Sequence, residues 1–256
     1  MKQKPAINIP LYEGYGMTET TAGASLGYKK NHKFGTVGKP FSGTELMISD
    51  SGEILFRGRH IMKGYYKNPK ATAETIDSDG WLHSGDKGEI DADGYVKITG
   101  RIKELYVSSG GKNIAPLVIE ETMKSIPLVS QCMLIGDGRK YCSALFTLDV
   151  GAILRDKHGM DPAKIPKDPT VQISTLESFG KTLADYTESE EIHAEMQAHV
   201  SELNGQFSNP EQIKKFKILP RDLSVDFGEL TPTLKIRRIQ IRENWANEIE
   251  AMYDGA

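Results

Sequence analysis

A glycine- and hydroxyl-containing segment near the N-terminus has the residue types that nucleotide binding needs. It comprises Tyr12-Glu13-Gly14-Tyr15-Gly16-Met17-Thr18-Glu19-Thr20. An aromatic ring between glycines can stack on a flat base, and a threonine hydroxyl can donate to a phosphate oxygen. The carboxylate of Glu19 can hold Mg²⁺, which prefers oxygen ligands and commonly bridges to phosphates. A surface turn followed by the start of a helix explains the segment equally well.

A second candidate is a carboxylate that directly follows a glycine, in the segment Gly80-Trp81-Leu82-His83-Ser84-Gly85-Asp86. An ionised carboxylate only accepts hydrogen bonds, so Asp86 can accept both hydroxyls of a sugar diol. Most isolated Gly-Asp pairs are simply turns. His83 has no ligand partner at a metal-binding spacing such as HExxH, so we expect a structural histidine there.

Two basic segments complete the candidates. Residues 99–113 combine Arg101 and Lys103 with a paired-glycine loop, but the GxxxxGK[ST] spacing of a P-loop is absent, and a solvated charged face is the commoner explanation. Residues 230–238 place Lys235 just after a proline-containing turn. A lysine in such a turn is usually a surface residue, but it can serve as a fixed point charge for a carboxylate or phosphate.

Other polar and thiol groups point away from a metal or nucleophile site. Asp91-Ala92-Asp93-Gly94 resembles the start of a calcium loop, but the glutamate required at the twelfth place is missing. Cys132 and Cys142 have no nearby histidine partner, so we expect two small buried hydrophobic residues.

The composition of the 256 residues restricts the class of protein. Lys and Arg number 32 and Asp and Glu 35, a net charge of −3 that lacks the basic excess of a nucleic-acid-binding domain. Two cysteines cannot build a disulfide framework. No apolar run reaches the ~20 residues of a membrane helix, and the N-terminus lacks a signal-peptide core. We therefore expect a soluble, folded, cytoplasmic chain.

Short strands joined by glycine turns are expected to position the first two candidates, because most of the 25 glycines precede residue 112. Alternating β-prone runs at 44–48, 52–58 and 94–100 predict strands. Residues 69–77 predict a short helix with Pro69 near its start.

The residue pattern changes after Arg101. The pattern predicts a strand at 105–109, a helix at 116–126, a hairpin of strands 131–136 and 142–149, a strand at 214–218, and a polar helical region at 151–212 that includes a helix at 188–203. A closing helix over 236–254 is expected to carry Ile239, Trp245, Ile249 and Met252. We place the boundary between the two parts near residues 101–103.

The four candidate segments together resemble the adenylate-forming superfamily, which includes acyl-CoA synthetases, adenylation domains and beetle luciferases. YGMTE is similar to its adenine-and-magnesium motif, GWLHSGD to its ribose motif, GRIKELYVSSGGKNIAP to its hinge motif and TPTLKIRR to its C-terminal lysine motif. The four occur in the family's order and at family-like separations, and they cover nearly the whole chain. TPTLKIRR, rather than TxSGK, is similar to the long-chain and very-long-chain (bubblegum-type) fatty acyl-CoA synthetases.

The resemblance implies roles for the matching residues of the large domain. Tyr15, flanked by Gly14 and Gly16, would stack on adenine. Thr18 would contact the α-phosphate and Glu19 would bind Mg²⁺. Asp86 and Arg101 would hold the ribose hydroxyls.

Further roles are implied for the segments that follow. Lys103 would be the hinge about which the small domain rotates. Gly110 and Gly111 would line the pantetheine channel, and Lys235 would bridge the acyl carboxylate and the α-phosphate. Catalysis would thus depend on Lys235, Thr18 and Glu19.

The fold implied by the resemblance is α+β. Residues 1–102 would form the β-rich last piece of the large AMP-binding domain. Residues 103–256 would form the small mobile C-terminal domain, a short sheet flanked by helices with a helical insertion at about 151–212. No segment resembles the family's TSGTTGxPKG phosphate loop. We therefore expect a C-terminal part of a synthetase that is inactive alone, whose partners include the missing N-terminal domains.

The activity implied is that of a long-chain fatty acid–CoA ligase, which uses ATP, Mg²⁺ and coenzyme A. An acyl–acyl carrier protein synthetase and a non-catalytic binding or regulatory module remain alternatives. Exposed strand edges in residues 1–102 would favour self-association. The resemblance also allows a peripheral membrane location for the full-length parent.

Overall fold

The computed structural model describes residues 11–108 and 111–254. The chain divides into two compact units, one up to Glu104 and the other from Leu105 onward. They are called here the N-terminal unit and the C-terminal unit. The helices and strands make the fold α+β, as the sequence predicted.

The N-terminal unit consists of two antiparallel sheets. Its elements are β1 (Gly14–Tyr15), β2 (Ser25–Leu26), β3 (Lys39–Pro40), β4 (Thr44–Ile48), β5 (Glu53–Gly58), α1 (Pro69–Thr75), β6 (Leu82–Ile90) and β7 (Val96–Arg101). The strand orders are β1-β2-β3 and β4-β5-β6-β7. A core of Ala24, Ile54, Phe56, Leu82 and Val96 lies against these strands.

The local sequence explains these elements. Strand β4 coincides with the predicted run at 44–48, because one residue in two faces the core. Helix α1 begins where the Asn68 side chain accepts a hydrogen bond from Ala71 N at 3.1 Å, with Pro69 at the first helical position. Strand β6 was not predicted, since residues 80–86 have the composition of a turn, yet β6 runs through most of that segment.

The C-terminal unit is a three-stranded sheet between helical layers. Its elements are β8 (Tyr106–Val107), β9 (Asn113–Ile114), α2 (Pro116–Met123), β10 (Val129–Ile135), β11 (Cys142–Leu148), α3 (Val150–Asp156), α4 (Pro169–Ser178), α5 (Ala184–Thr187), α6 (Glu190–Asn204), β12 (Ile213–Ile218), α7 (Arg238–Asn244) and α8 (Ala246–Ala251). The sheet order is β10-β11-β12, with β10 antiparallel and β12 parallel to β11.

Strands β10 and β11 are buried on both faces over most of their length, which explains their apolar sequence, whereas β12 alternates with exposed lysines. In β10, Cys132 and Leu134 belong to the core that includes residues of α2, α3 and α6. Met133 and Ile135 belong to the core that includes residues of α7 and α8. The two cysteines are free and buried, as predicted, and burial raises the pKa of the Cys142 thiol to about 11.

The predicted single helix over 236–254 is wrong, because two short helices lie there. Helices α7 and α8 meet at Trp245, whose backbone leaves the helical region at φ −117° and ψ 29°. Ile239 is 77% exposed, whereas Ile241, Trp245 and Ile249 are buried. The buried residues recur every four positions, and Ile239 is offset from them by two residues, which places it on the opposite side of the helix. Within the described residues, no helix is long and apolar enough to cross a bilayer.

Candidate functional site

Three of the predicted nucleotide-binding residues meet in the N-terminal unit. The register of β6 and β7 places Asp86 opposite Arg101, and Arg101 Nε donates to Asp86 Oδ1 at 3.0 Å. The hydroxyl of Tyr15, from β1, donates to Asp86 Oδ2. Asp86 is 6% exposed, whereas the Arg101 side chain is 61% exposed. A buried carboxylate is therefore held by two donors, one of which belongs to an exposed guanidinium.

The position of Tyr15 gives it a second contribution that the sequence reasoning missed. Burial raises the pKa of its hydroxyl above the ordinary value, and the hydrogen bond and negative charge of Asp86 raise it further. The hydroxyl is therefore protonated at neutral pH and donates to Asp86. The ring lies 5.7 Å, centroid to centroid, from the ring of Phe56. Only the choice of tyrosine over phenylalanine signals this bond in the sequence.

The turn after Tyr15 is set by close backbone packing. A Cβ atom on Gly16 would lie 1.9 Å from the carbonyl oxygen of Ala22, so only glycine fits. Thr18, Glu19 and Thr20 form a single 3₁₀ turn, in which Thr20 Oγ1 accepts from Met17 N at 2.9 Å. Gly14, in β1, precedes this turn.

The turn exposes the two groups predicted to act on phosphate and metal. Thr18 is exposed, and Glu19 is half-buried. Glu19 Oε1 accepts a hydrogen bond from the Tyr65 hydroxyl at 2.7 Å, which raises the pKa of Tyr65. Among the described residues no group of three or more His, Cys, Asp or Glu side chains is placed to hold a metal ion. One carboxylate fits the way Mg²⁺ binds together with nucleotide phosphates, which supply its other ligands.

A carboxylate that the sequence reasoning missed supports the Asp86 segment from β5. Glu53 Oε1 accepts from Gly85 N at 2.8 Å, and Glu53 Oε2 lies 2.9 Å from His83 Nδ1. The partner of His83 is distant in sequence, so a search for local ligand spacing could not find it.

The predicted lysine of the C-terminal unit stands on a tight loop between Leu230 and Ile236, which form a β-bridge. Lys235 N donates to Thr231 Oγ1 at 3.0 Å, and Thr231 N donates to Lys235 O at 2.8 Å. Leu234 has a positive φ of 60°, which closes the turn. The loop fixes the backbone of Lys235 while the side chain is exposed, and its Nζ has no hydrogen bond or ion pair within the described chain.

Two buried carboxylates anchor the ends of this lysine loop. Before it, Glu229 is fully buried and accepts from Arg221 Nη1 at 2.7 Å, Arg221 Nη2 at 2.8 Å and Trp245 Nε1 at 2.9 Å. Burial alone would raise the pKa of Glu229, but hydrogen bonds from Arg221, Asn244 and Ser224 outweigh it, so the pKa is lowered. After the loop, Arg238 binds Glu120 through two hydrogen bonds of 2.6 Å.

The predicted glycine loop joins β8 to β9. Gly111 N donates to Ser108 O at 2.8 Å, and Gly111 has the left-handed φ of 78° that this tight turn requires. Gly110 lies outside the described residues. Lys103 is exposed in the 3₁₀ turn Ile102–Glu104, at the end of the N-terminal unit.

A pocket that the sequence reasoning missed lies beside this loop. Its volume is about 320 Å³, and its lining includes four cationic side chains, those of Lys112, Arg139, Lys140 and Lys214. Arg139 is engaged by Glu250, with Nη1 at 2.9 Å, and Lys112 by Glu211 at 3.1 Å. The cations come from separate stretches of chain, so no local sequence motif predicts that they lie together.

Comparison with known proteins finds a family model that matches part of each unit. Residues 2–66 match the family model for the AMP-binding enzyme, and residues 103–162 match the model for the AMP-binding enzyme C-terminal domain.

Two curated relatives span nearly all of this chain. Long-chain-fatty-acid–CoA ligase FadD15 of Mycobacterium bovis is 39% identical over 246 residues, which are 96% of this chain and 38% of the relative. Long-chain-fatty-acid–CoA ligase ACSBG2 of Gallus gallus is 36% identical over 260 residues, which are 98% of this chain and 34% of the relative. The chain therefore spans less than two fifths of the length of these relatives.

Solved structures agree on the fold. The adenylation domain of a carboxylate reductase from Mycobacterium chelonae superposes with a TM-score of 0.69 at 21% identity, over 94% of this chain and 34% of that one. O-succinylbenzoate coenzyme A synthetase from Bacillus subtilis, solved with ATP and a magnesium ion, superposes with a TM-score of 0.62 at 22% identity, over 90% of this chain and 41% of that one.

Proposed function

We propose that this chain, whose residues 2–66 and 103–162 match AMP-binding enzyme family models, supplies the adenosine-binding groups and the C-terminal domain of a long-chain fatty acid–CoA ligase. The observation that carries the proposal is that Tyr15 and Arg101 both donate hydrogen bonds to the buried carboxylate of Asp86. The likeness to long-chain-fatty-acid–CoA ligases over nearly the whole chain supports the substrate class.

The proposed reaction has two steps. The fatty acid carboxylate attacks the α-phosphorus of ATP, and pyrophosphate leaves. The thiol of coenzyme A then attacks the carbonyl carbon of the acyl-adenylate, and AMP leaves. Both reactants of the first step are anionic, so the site must align them and neutralise their charge.

Asp86 and Arg101 are proposed to bind the ribose. An ionised carboxylate offers about four acceptor positions, so Asp86 can accept from ribose hydroxyls while its two protein donors stay bound. Arg101 and Tyr15 hold the carboxylate in one orientation before the nucleotide arrives. Because Asp86 is almost fully buried, little solvent competes for it.

Thr18 and Glu19 are proposed to act at the phosphates. The exposed hydroxyl of Thr18 would donate to an α-phosphate oxygen. The free oxygen of Glu19 would hold Mg²⁺, whose charge neutralises the phosphates. Tyr65 orients the Glu19 carboxylate by donating to its other oxygen.

Lys235 is proposed to neutralise the acyl carboxylate and the α-phosphate during adenylation. Its backbone is fixed by Thr231 and its ammonium group has no partner in the described chain, so it can engage an incoming anion without first breaking an ion pair. Removing one preorganised group of this kind costs on the order of 10²–10³ in rate.

The thioester step is proposed to use the glycine loop and the pocket beside it. Coenzyme A carries several phosphates, and four cations line this pocket. Of these, Lys140 is exposed and has no hydrogen bond or ion pair with another described residue. Lys103 would act as the hinge that exchanges the lysine loop for the glycine loop.

The chain is much shorter than the relatives that it matches, which bears on the domains it is proposed to form. We propose that residues 1–102 end a large AMP-binding domain and that residues 103–256 form its mobile small domain. The relatives are much longer than this chain, and no phosphate loop of the TSGTTGxPKG type occurs in it. We therefore expect the chain alone to bind AMP but not to catalyse adenylation.

The test is palmitate-dependent ATP–pyrophosphate exchange in a chimera, in which this chain replaces the 246-residue segment that it matches in FadD15. We expect exchange that requires palmitate and Mg²⁺, and none from the chain alone. A folded chimera that binds AMP without any exchange would contradict the proposal, as would exchange by the chain alone.

The acceptor is proposed to be coenzyme A rather than an acyl carrier protein, because both reported relatives are named CoA ligases. The chimera, loaded with palmitoyl-adenylate, is offered either thiol. Faster thioester formation with the carrier protein would reverse this assignment.

A further inference from the structure

The Asp86 carboxylate projects from an irregular stretch of β6. Between β5 and β6, Glu53 faces Lys87 and Leu55 faces His83, so β6 carries extra residues that β5 does not match. The extra residues are those around Ser84, Gly85 and Asp86. An unmatched stretch leaves backbone donors without a ladder partner, and something else must accept from them.

Glu53 supplies the missing acceptor. Its Oε1 accepts from Gly85 N at 2.8 Å, so the residue directly before Asp86 is held by a side chain from the neighbouring strand. The Glu53 side chain is only 13% exposed, so water competes weakly for this bond. Gly85 has a φ of 73°, a conformation that lets the chain turn there and direct Asp86 toward β7.

His83 and Asp77 fix Glu53 in turn. His83 Nδ1 lies 2.9 Å from Glu53 Oε2, and His83 Nε2 lies 3.7 Å from Asp77 Oδ2. Asp77 is itself anchored, because its Oδ1 accepts from Asp79 N and Trp81 N, each at 2.9 Å. A line of polar contacts thus runs from Asp77 through His83 and Glu53 to Gly85.

We propose that Glu53 is a positioning residue for the ribose-binding carboxylate, which it directs through the Gly85 amide. His83 and Asp77 keep Glu53 in place. This inference rests on the proposed function, since it assigns to Asp86 the ribose hydroxyls. Glu53 does not touch the nucleotide.

The proposal predicts a loss confined to the ribose hydroxyls. Glu53→Met keeps the length of the side chain and removes both acceptors. It should weaken AMP binding by about tenfold, the usual effect of losing one hydrogen bond to a charged group. Binding of 2′,3′-dideoxy-AMP should be unchanged, because that nucleotide offers Asp86 no hydroxyl. Glu53→Gln keeps one acceptor for Gly85 N and should restore AMP binding to within about twofold.

The experiment uses isothermal titration calorimetry on the purified chain with both nucleotides. The matched control is Glu45→Met, which removes a carboxylate paired with Arg57 on the neighbouring strands β4 and β5. The control should bind both nucleotides like the unmodified chain. Equal weakening of AMP and dideoxy-AMP by Glu53→Met would overturn the proposal, since a general structural role predicts that result.

A second measurement needs no nucleotide. The Arg101 Nε–H proton bonds to Asp86, so its NMR resonance reports where that carboxylate lies. Glu53→Met should move this resonance, and Glu53→Gln should return it. An unmoved resonance in the folded Glu53→Met protein would overturn the proposal. If Glu53→Met does not fold, Glu53→Asp, which withdraws the carboxylate by one methylene group, is compared with Glu53→Gln by the same two criteria.

The binding and NMR measurements together distinguish failure of the proposed function from failure of the positioning role of Glu53. If the unmodified chain binds no AMP, the proposed function is wrong, and the Arg101 resonance still decides whether Glu53 positions Asp86. If the chain binds AMP and Glu53→Met binds it equally well, Glu53 has no positioning role and the proposed function stands.

Discussion

Asp86 of the N-terminal unit and Lys235 of the C-terminal unit are both charged groups proposed to touch the nucleotide, yet they are held in opposite ways. Asp86 is buried, and its side-chain oxygens accept from Arg101 and Tyr15. Lys235 is exposed, and its hydrogen bonds to Thr231 are made by the backbone. One site fixes the charged atoms themselves, whereas the other fixes the chain that carries them.

The difference fits the time for which each group is needed. The ribose stays bound through adenylation and thioester formation, so a permanently ordered acceptor serves both steps. A lysine that bridges the acyl carboxylate and the α-phosphate acts in the first step only. A free ammonium group on a firm loop can enter and leave without breaking an internal ion pair. The strong charge pair lies at the base of the loop, between Glu229 and Arg221.

The largest effect is expected from Lys235→Ala in the chimera. Palmitate-dependent ATP–pyrophosphate exchange should fall by about 10²–10³, the range for losing one preorganised charge-stabilising group. Thioester formation from supplied palmitoyl-adenylate should change little, because the lysine acts in the first step. Both rates are measured on the same preparation.

Lys217→Ala is the control for that prediction, since Lys217 is another exposed lysine of the C-terminal unit. It should leave both steps intact. Equal losses in the two steps for Lys235→Ala would remove the distinction between a group that is always needed and one that is needed once.

The next effect concerns the base of the lysine loop. Glu229→Gln leaves Arg221 without its ionic partner and several buried donors with a weaker acceptor. We expect the free energy of unfolding of the C-terminal unit to fall by about 2–3 kcal/mol. Trp245 belongs to this unit and Trp81 to the other, so urea unfolding followed by fluorescence in a Trp81→Phe background reports on it alone. Glu177→Gln, at an exposed site, should have no effect.

The pH dependence sharpens this prediction. Hydrogen bonds outweigh burial and lower the pKa of Glu229 in the folded state. Its contribution to stability is therefore present above the ordinary value of 4.5 and is lost as the pH falls through the folded-state pKa. The Glu229→Gln protein should lose less stability than the unmodified chain on going from pH 5 to lower pH. Parallel stability curves for the two proteins would contradict this account.

A smaller effect is expected from a substitution of the buried carboxylate Asp86. Asp86→Asn keeps the size of the side chain but replaces an acceptor oxygen by an amide that donates. AMP affinity of the chain should fall by about 10–100-fold, since hydrogen bonds to a charged group are lost. Calorimetry measures it, with Asp79→Asn as an exposed control. Unchanged affinity would show that Asp86 is a structural partner of Arg101 rather than a ligand of the ribose.

Local pattern and recognisable motifs account for much of the fold. Strand β4 and the hairpin of β10 and β11 follow from alternation or from continuous apolar runs bounded by turn residues. The meeting of Asp86 and Arg101 follows from two motifs on adjacent strands. Strand β6 was missed because its bulge has the composition of a turn.

Supporting groups are harder to predict than the residues they support. Glu53 bonds to Gly85 across two strands, and Glu229 bonds to Trp245 and Arg221 on either side of it in sequence. Neither carboxylate belongs to any of the four candidate sequence motifs. Each acts through a contact that forms only in the folded chain. Periodicity reports which face of an element is buried, but it does not identify the partner of a buried charge.

The smallest effect is expected from Thr231, and it tests whether the ordered loop backbone is what positions Lys235. Thr231→Val keeps the shape of the side chain and removes the oxygen that accepts from Lys235 N. One neutral hydrogen bond contributes about 0.5–1.5 kcal/mol, so exchange in the chimera should fall by about 2–10-fold. Thr231→Ser keeps the acceptor and should retain the rate. Because the loop positions a group used in one step, thioester formation should be unaffected. If Thr231→Val slows both steps equally, or neither, then the order of Lys235 comes from the anion it binds and the firm loop is not what prepares it.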